Sequence, residues 1–395
     1  MNHNTEARRA GNSLLIKAAA LGGDAPVQDI LIKDGRIARI SADLPAGGGI
    51  AVLDAGGRLL LPGFIDLHTH GAVGVDMNDL TLEGLVKVGR FFASQGVTGY
   101  LPTLLTDTRE RLLECLTVIA QGAKQLRDGA AILGVHLEGP FLCAAYKGAM
   151  PEHLLRLPSL AEVEEYQQVS GGLIRRITVS PELPGMPEFI RAVSRMGISV
   201  SLGHTGADYD TTWECIRAGA CCATHTFNAM LLPHQHAPAV SGALLESDCY
   251  CEAICDGLHL HPGMVRLLLK TKGWDKVIGV TDSIMAAGLG DGAFYLGVNE
   301  IVVKDGDARL KDGSSRAGST LTMLKALHNL AAYTQKPLHE VAGLLAGNPA
   351  ALLGLPYRKG AVQPGLDADL VLLDADNQVA TTIVAGAPVY QRERL

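Results

Sequence analysis

The sequence predicts an α/β fold, a (β/α)8 TIM barrel with a small β-sandwich formed by both chain ends. Three observations predict it. Eight apolar segments of strand length follow Gly63 with helical patterns between them, which is the strand and helix count of this barrel. Short β runs broken by glycine turns fill the chain before that point and return near its end. Histidines collect at the far ends of the strand-like segments, where such barrels place their reactive groups. At 395 residues the chain exceeds the roughly 250 that one barrel uses, which leaves room for a second unit. The residues divide as 1–62 and 363–395 for the sandwich and 63–362 for the barrel.

In chain order, the N-terminal segment MNHNTEARRAGNSLLIKAAALGG has an apolar stretch broken by Lys17, too short and polar for a signal or a membrane span, so a cytoplasmic protein is expected. DILIKDG, GRIARISADL and GIAVLDAGGRLLLPG then read as a small sheet, with KDG as a hairpin turn between Ile32 and Ile37. The eight barrel strands are read in FIDLHTH, VTGYLPTLLT, AILGVHLEGP, IRRITVSPE, ISVSLGHTG, ACCATHTFNAM, CEAICDGLHLH and VIGVTDSIMAAG. Between them, LEGLVKVGRFFASQ and DTTWECIRAGA carry apolar residues at i, i+3 and i+4, as amphipathic helices do. LGVNEIVVKDGDARLKDG, between Tyr295 and Asp312, reads as an extra hairpin after the eighth strand. The tail GLDADLVLLDADNQVATTIVAGAPVY returns to β runs that join the N-terminal sheet.

Apolar residues make up 47%, charged ones 19%, and the net charge is −7, which argues against a nucleic-acid-binding face. The eight cysteines lack disulfide-framework spacing, and Cys249, Cys251 and Cys255 have no second pair at zinc-finger spacing, so packing is their expected role.

Seven of the thirteen histidines fall at or near strand ends: His68, His70, His136, His204, His225, His259 and His261. Any one alone reads as a structural residue. His68 and His70, two apart on a strand, share a face and can hold one cation together. Glu138 at the end of VHLE, His204 in GHT and His225 in THTFNAM extend this to a nitrogen and oxygen donor set suited to one or two divalent ions, zinc or iron above all. Asp282 in VTDS closes the eighth strand, where a carboxylate can take a proton from an attacking water and return it to a leaving amine. Singly, Glu138 reads as a rim ion pair and Asp282 as an Asx turn or helix cap. Their arrival in order on strands one, three, five, six and eight favours the catalytic reading.

LPGFIDLHTHG, GVHLEGPF, SLGHTGA, ATHTFNAM, CDGLHLH, GVTDSIMAAG, RAGSTLTM and PGLDADLVLLD, spread over almost the whole chain, resemble the amidohydrolase superfamily and, within it, the N-acetylglucosamine-6-phosphate deacetylase family. The resemblance implies a metal-dependent barrel flanked by a β-sandwich, a homodimer, and hydrolysis of the acetamide of an N-acetylated amino sugar. It implies Glu138, His204 and His225 as main metal ligands, His68 and His70 as a second site with Glu138 bridging, and Asp282 as the catalytic aspartate. Asn228, Ala229, His259, Ala317 and Gly318 match substrate-contacting positions. Three departures touch the substrate. HQHAPA places His236 where the family has an arginine that grips the sugar phosphate from the neighbouring subunit. KGAMPEH places Met150 where a histidine is common, and Arg316 in SSRAGST stands where an apolar residue is usual, either restoring positive charge or capping a loop. The expected substrate is N-acetylglucosamine-6-phosphate or its galacto epimer. Alternatives are an unphosphorylated N-acetyl sugar, an N-acyl amino acid, or a non-catalytic metal-binding scaffold. Cyclic-amide members bridge two metals with a carboxylated lysine, and ITVSPE on strand four offers none.

Overall fold

Barrel strands are buried on both faces, and here that produces an inverted alternation, polar inward and apolar outward. Asp66, His68 and His70 alternate with Ile65 and Leu67; His136 and Glu138 flank Leu137; Arg176 and Thr178 alternate with Ile177 and Val179, and all are buried. The apolar members join the main core against the surrounding helices. The structure is a computed structural model that describes residues 13–47 and 49–392. The first twelve residues of the segment read above as lacking a signal lie outside the described residues. No described helix is long and apolar enough to cross a membrane.

All eight expected barrel strands form: Phe64–Thr69, Val97–Leu105, Val135–Glu138, Ile174–Val179, Ser199–Leu202, Ala220–Ala223, Tyr250–Ile254 and Val277–Val280. Each pairs in parallel with the next in that order. A helix follows each, and hydroxyl or carboxylate caps start five of the eight: Thr81 accepts from Gly84 N, Thr108 from Arg111 N, Ser159 from Glu162 N, Asp208 from Thr211 N and Thr322 from Lys325 N.

Two four-stranded sheets flank the barrel. Leu14–Ala19, Gln28–Lys33, Arg36–Ser41 and Ala51–Asp54 form one; Leu60–Pro62, Leu370–Leu373, Val379–Val384 and Ala387–Gln391 form the other. They share a core of Ile16, Ile30, Ile32, Leu60, Leu370, Leu372 and Ile383, so the tail does return to the N-terminal strands. The KDG turn is a tight hairpin: Ile32 pairs with Ile37, and Asp34 and Gly35 both take positive φ, 48° and 71°, as a type I′ turn requires. The insertion after strand eight has three strands rather than two: Gly292–Leu296, Asn299–Lys304 and Asp307–Leu310. Its Leu296, Ile301 and Val303 pack with Leu105, Leu142 and Met150, which seats it over the barrel mouth.

The eighth strand meets the first without a regular ladder. Asp282 N donates to His68 O at 2.8 Å and His70 N to Ser283 O at 2.7 Å. Beneath them the buried Asp66 carboxylate accepts Thr281 Oγ1 at 2.6 Å and Thr281 N at 3.3 Å. Burial pushes the Asp66 carboxyl up to about 6 against the hydrogen bonds from Thr281 and His68. Thr281→Val keeps the shape and removes the hydroxyl donor, leaving a buried acceptor short of a partner. Denaturant titration is expected to show a loss of about 1–3 kcal/mol; an unchanged midpoint would place closure in the main-chain pairs alone.

Candidate metal centre and active site

The candidate metal ligands and Asp282 stand near the ends of barrel strands. Glu138 is the last residue of the third strand, and Gly139 follows it directly. His204, His225 and Asp282 lie two residues past the fifth, sixth and eighth strands, in left-handed backbone with φ of 50°, 31° and 50°. Such geometry costs about 1–3 kcal/mol per non-glycine residue, and here it falls on three of the six residues read as metal-binding or catalytic.

Two groups result, His68 with His70 and Asp282, and Glu138 with His204 and His225, the candidate ligand atoms of each lying within 4.8 Å of one another. Glu138 joins them. Its Oε1 is 3.1 Å from His225 Nε2 and 3.2 Å from His204 Nε2, while its Oε2 is 3.2 Å from His70 Nε2. Asp282 Oδ1 is 3.1 Å from His70 Nε2 and 3.4 Å from His68 Nε2.

The outward nitrogens define the tautomers. His70 Nδ1 lies 3.2 Å from Thr103 O, His204 Nδ1 lies 2.9 Å from Tyr146 O, and His68 Nδ1 lies 3.1 Å from a carboxylate oxygen of Glu252. Carbonyl and carboxylate oxygens only accept, so these three imidazoles carry the proton on Nδ1 and turn a bare Nε2 inward when neutral. Yet His68 and His70 bring their Nε2 atoms to 3.2 Å, and His204 and His225 to 3.1 Å. Nitrogens facing at that range need a proton or a cation between them, and the nitrogen and oxygen donor set suits a borderline divalent ion.

Charge points the same way. Burial favours neutral imidazoles, but Asp282 and Glu138 lift His70 up to about 9 and hold His68 well above its ordinary value. Burial would raise both carboxyls, yet His68, His204 and His225 hold Glu138 well below its usual range, and His68 and His70 hold Asp282 below its own. His136 goes the other way: burial and the nearby His68 and Arg176 keep it neutral, and it bonds Thr103 and Thr178 inside the barrel. His261 caps the helix Pro262–Lys272. Neither belongs to the two groups.

A cavity of about 400 Å³ opens above the groups. His70, Glu138, His204, His225 and Asp282 line it, with His68 fully buried behind them. Asn228, Ala229, His259, Met150, Arg316, Ala317 and Gly318 line it too. His259 Nδ1 is 2.6 Å from Asp256, and Arg316 donates to Asp307 from Nε at 2.8 Å and from Nη2 at 3.2 Å. Asn228 Nδ2 donates to His225 O at 3.2 Å. His236 does not line the cavity; it is exposed beside His234. Sequence reasoning missed Tyr146, Gly148, Leu105 and Leu296 in the wall, and Glu252 and Arg176 beneath the floor. The charges inside IRRITV and CEAIC were the available signal for the last two.

Residues 59–389 match the model of the amidohydrolase family. The chain belongs to that family. It is 35% identical over 383 residues to the N-acetylglucosamine-6-phosphate deacetylase of Bacillus subtilis, covering 95% of this chain and 96% of that one. It is 33% identical over 356 residues to an N-acetylgalactosamine-6-phosphate deacetylase of Escherichia coli O157:H7, covering 90% and 93%. The structure also superimposes, with a TM-score of 0.88, 30% identity and coverage of 96% and 100%, on a mutant N-acetyl-D-glucosamine-6-phosphate deacetylase of Mycobacterium smegmatis in complex with N-acetyl-D-glucosamine-6-phosphate. Within the amidohydrolases the chain therefore belongs with the amino-sugar-phosphate deacetylases.

Gly318 has φ +61°, and a Cβ there would meet Ile284 Cγ2 at 2.4 Å and Asp282 O at 2.9 Å. Gly318→Ala should shift Asp282 and lower kcat by roughly 10- to 100-fold in steady-state assays. Full activity would mean that Ile284 yields and Asp282 stays in place.

Proposed function

We propose that this amidohydrolase removes the acetyl group from an N-acetylated amino sugar 6-phosphate, of the gluco or galacto series, releasing acetate and the amine. The observation that carries the reading is the pair of groups joined by Glu138 at the floor of a sugar-sized cavity. The named activities of the relatives support the choice of substrate. In this reading Glu138, His204 and His225 would hold one divalent cation, and His68, His70 and Asp282 would hold a second. Zinc or iron fits the donors. The cations would polarise the acetyl carbonyl and make an adjacent water acidic.

The chain's own groups do the rest. Asp282, at the floor of the cavity, accepts the proton of the attacking water and passes it to the sugar nitrogen. Leu105, Met150 and Leu296 form an apolar wall that keeps bulk water from the reacting amide. Arg316 and His259 line the cavity outside the two groups, and they orient the phosphate. His236, exposed outside the cavity, reaches a substrate only from a second copy, which suits a homodimer. The eight unpaired cysteines suit a reducing cytoplasm.

The test is acetate release by metal-replete protein from N-acetylglucosamine-6-phosphate, its galacto epimer and both unphosphorylated sugars. A phosphorylated sugar is expected to lead in kcat/KM by about tenfold or more, the worth of one charge-assisted contact. A lead for the neutral sugars would mean that His236 and Met150 mark a changed specificity, and silence on all four would favour the non-catalytic scaffold. Asp282→Asn is expected to lower kcat by about 10²- to 10⁴-fold in the same assay, the usual contribution of a positioned acid–base group. A smaller loss would move the proton transfer to another residue.

A further inference from the structure

Glu252 stands in the middle of the seventh barrel strand, fully buried, and does not line the cavity. Its Oε2 lies 3.1 Å from His68 Nδ1 and accepts the His225 main-chain N–H at 2.9 Å. One oxygen thus touches a member of each candidate ligand group. Its Oε1 lies 2.5 Å from Nη1 of Arg176, which is also fully buried and donates from Nη2 to Ser201 Oγ at 2.8 Å. His70 and His204 place Nδ1 against main-chain carbonyls, so among the described residues of the two groups only His68 leans on a carboxylate.

Stability alone does not account for such a pair. Two charges taken out of water inside a barrel gain little over apolar side chains of similar volume. What the pair does provide is direction. A carboxylate behind a ligating imidazole fixes the proton on Nδ1, orients the ring and strengthens Nε2 as a donor. The contact with the His225 amide holds the left-handed turn at φ 31° in the second group.

We propose that Glu252, held by Arg176, is a positioning residue of the metal centre that sets the affinity of the His68, His70 and Asp282 group and ties its geometry to that of His225. The proposal rests on the metal-centre reading above. It separates from a purely structural role by comparing Glu252→Gln with the double variant Glu252→Gln, Arg176→Met, which also removes the guanidinium left without its carboxylate.

Zinc per chain is measured by plasma mass spectrometry, zinc affinity by competition with a chromophoric chelator, and thermal unfolding alongside. Wild type is expected to hold two ions. Glu252→Gln should bind one of them roughly 10- to 100-fold more weakly while keeping the other. The double variant should recover thermal stability without recovering affinity. Wild-type affinity in the single variant, or in the double variant if the single one does not fold, would overturn the proposal and leave the pair a structural filler. A wild type that binds no zinc, iron or other divalent ion would overturn the metal-centre reading itself, and this proposal with it.

Discussion

The carboxylate of Glu138 is the constraint about which the rest of the molecule is arranged. It is buried at the end of a central strand, 3.1 to 3.4 Å from imidazole nitrogens of His68, His70, His204 and His225. An ionised carboxylate at that depth is costly unless opposite charge surrounds it. Asp66, Asp282 and Glu252 add three more buried carboxyl groups to the same interior, against one guanidinium, that of Arg176. The inward-facing rows of the barrel are therefore polar by necessity, and the apolar core is displaced outward to the layer between strands and helices. The strain at His204, His225 and Asp282 follows from the same demand, since each must turn back over the mouth to reach the Glu138 cluster.

Much of this was legible in the residues. FIDLHTH shows its inward face as Asp66, His68 and His70, and the strand count, the KDG hairpin and the returning tail rest on local turn chemistry and period-two patterning that tertiary contacts did not override. The ligand-type residues could be named because each ends a strand in a fold whose strand ends converge. The supporting shell could not. Glu252 and Arg176 are 76 positions apart and meet across the barrel through strands four and seven, so neither IRRITV nor CEAIC signals a partner. His136 misled for a related reason: it shares the inward face with Glu138, but sits one pleat deeper, among Thr103 and Thr178 rather than at the rim. Tyr146 was missed because its contribution is a main-chain carbonyl, which no residue identity encodes.

The insertion shows how a barrel acquires a specificity wall without altering its chemistry. Leu296 belongs to the three-stranded sheet and the Arg316 to Gly318 stretch follows it, and that sheet is seated by Leu105 at the end of strand two and by Leu142 and Met150 from the loop after strand three. Met150, where a polar residue was the family expectation, is thus part of the packing that holds the wall as well as part of the wall itself. Its fully buried position ties any change of side chain there to the seating of the insertion.

The electrostatics of the cavity link recognition to catalysis. Arg316 already spends two nitrogens on Asp307, and His259 already faces Asp256, so both donors are pre-oriented but neither brings uncompensated positive charge. Glu138 and Asp282 put two carboxylates at the floor, and without a cation His68 and His70 hold protons against them. Divalent cations held there would take the place of those protons on the imidazoles, and an anionic sugar would then meet a more positive floor. Under the proposed function, binding of the phosphate and loading of the ligand groups would belong to a single charge balance, and a change that empties the His68 and His70 group would weaken the hold on an anionic substrate as well as the polarisation of its amide.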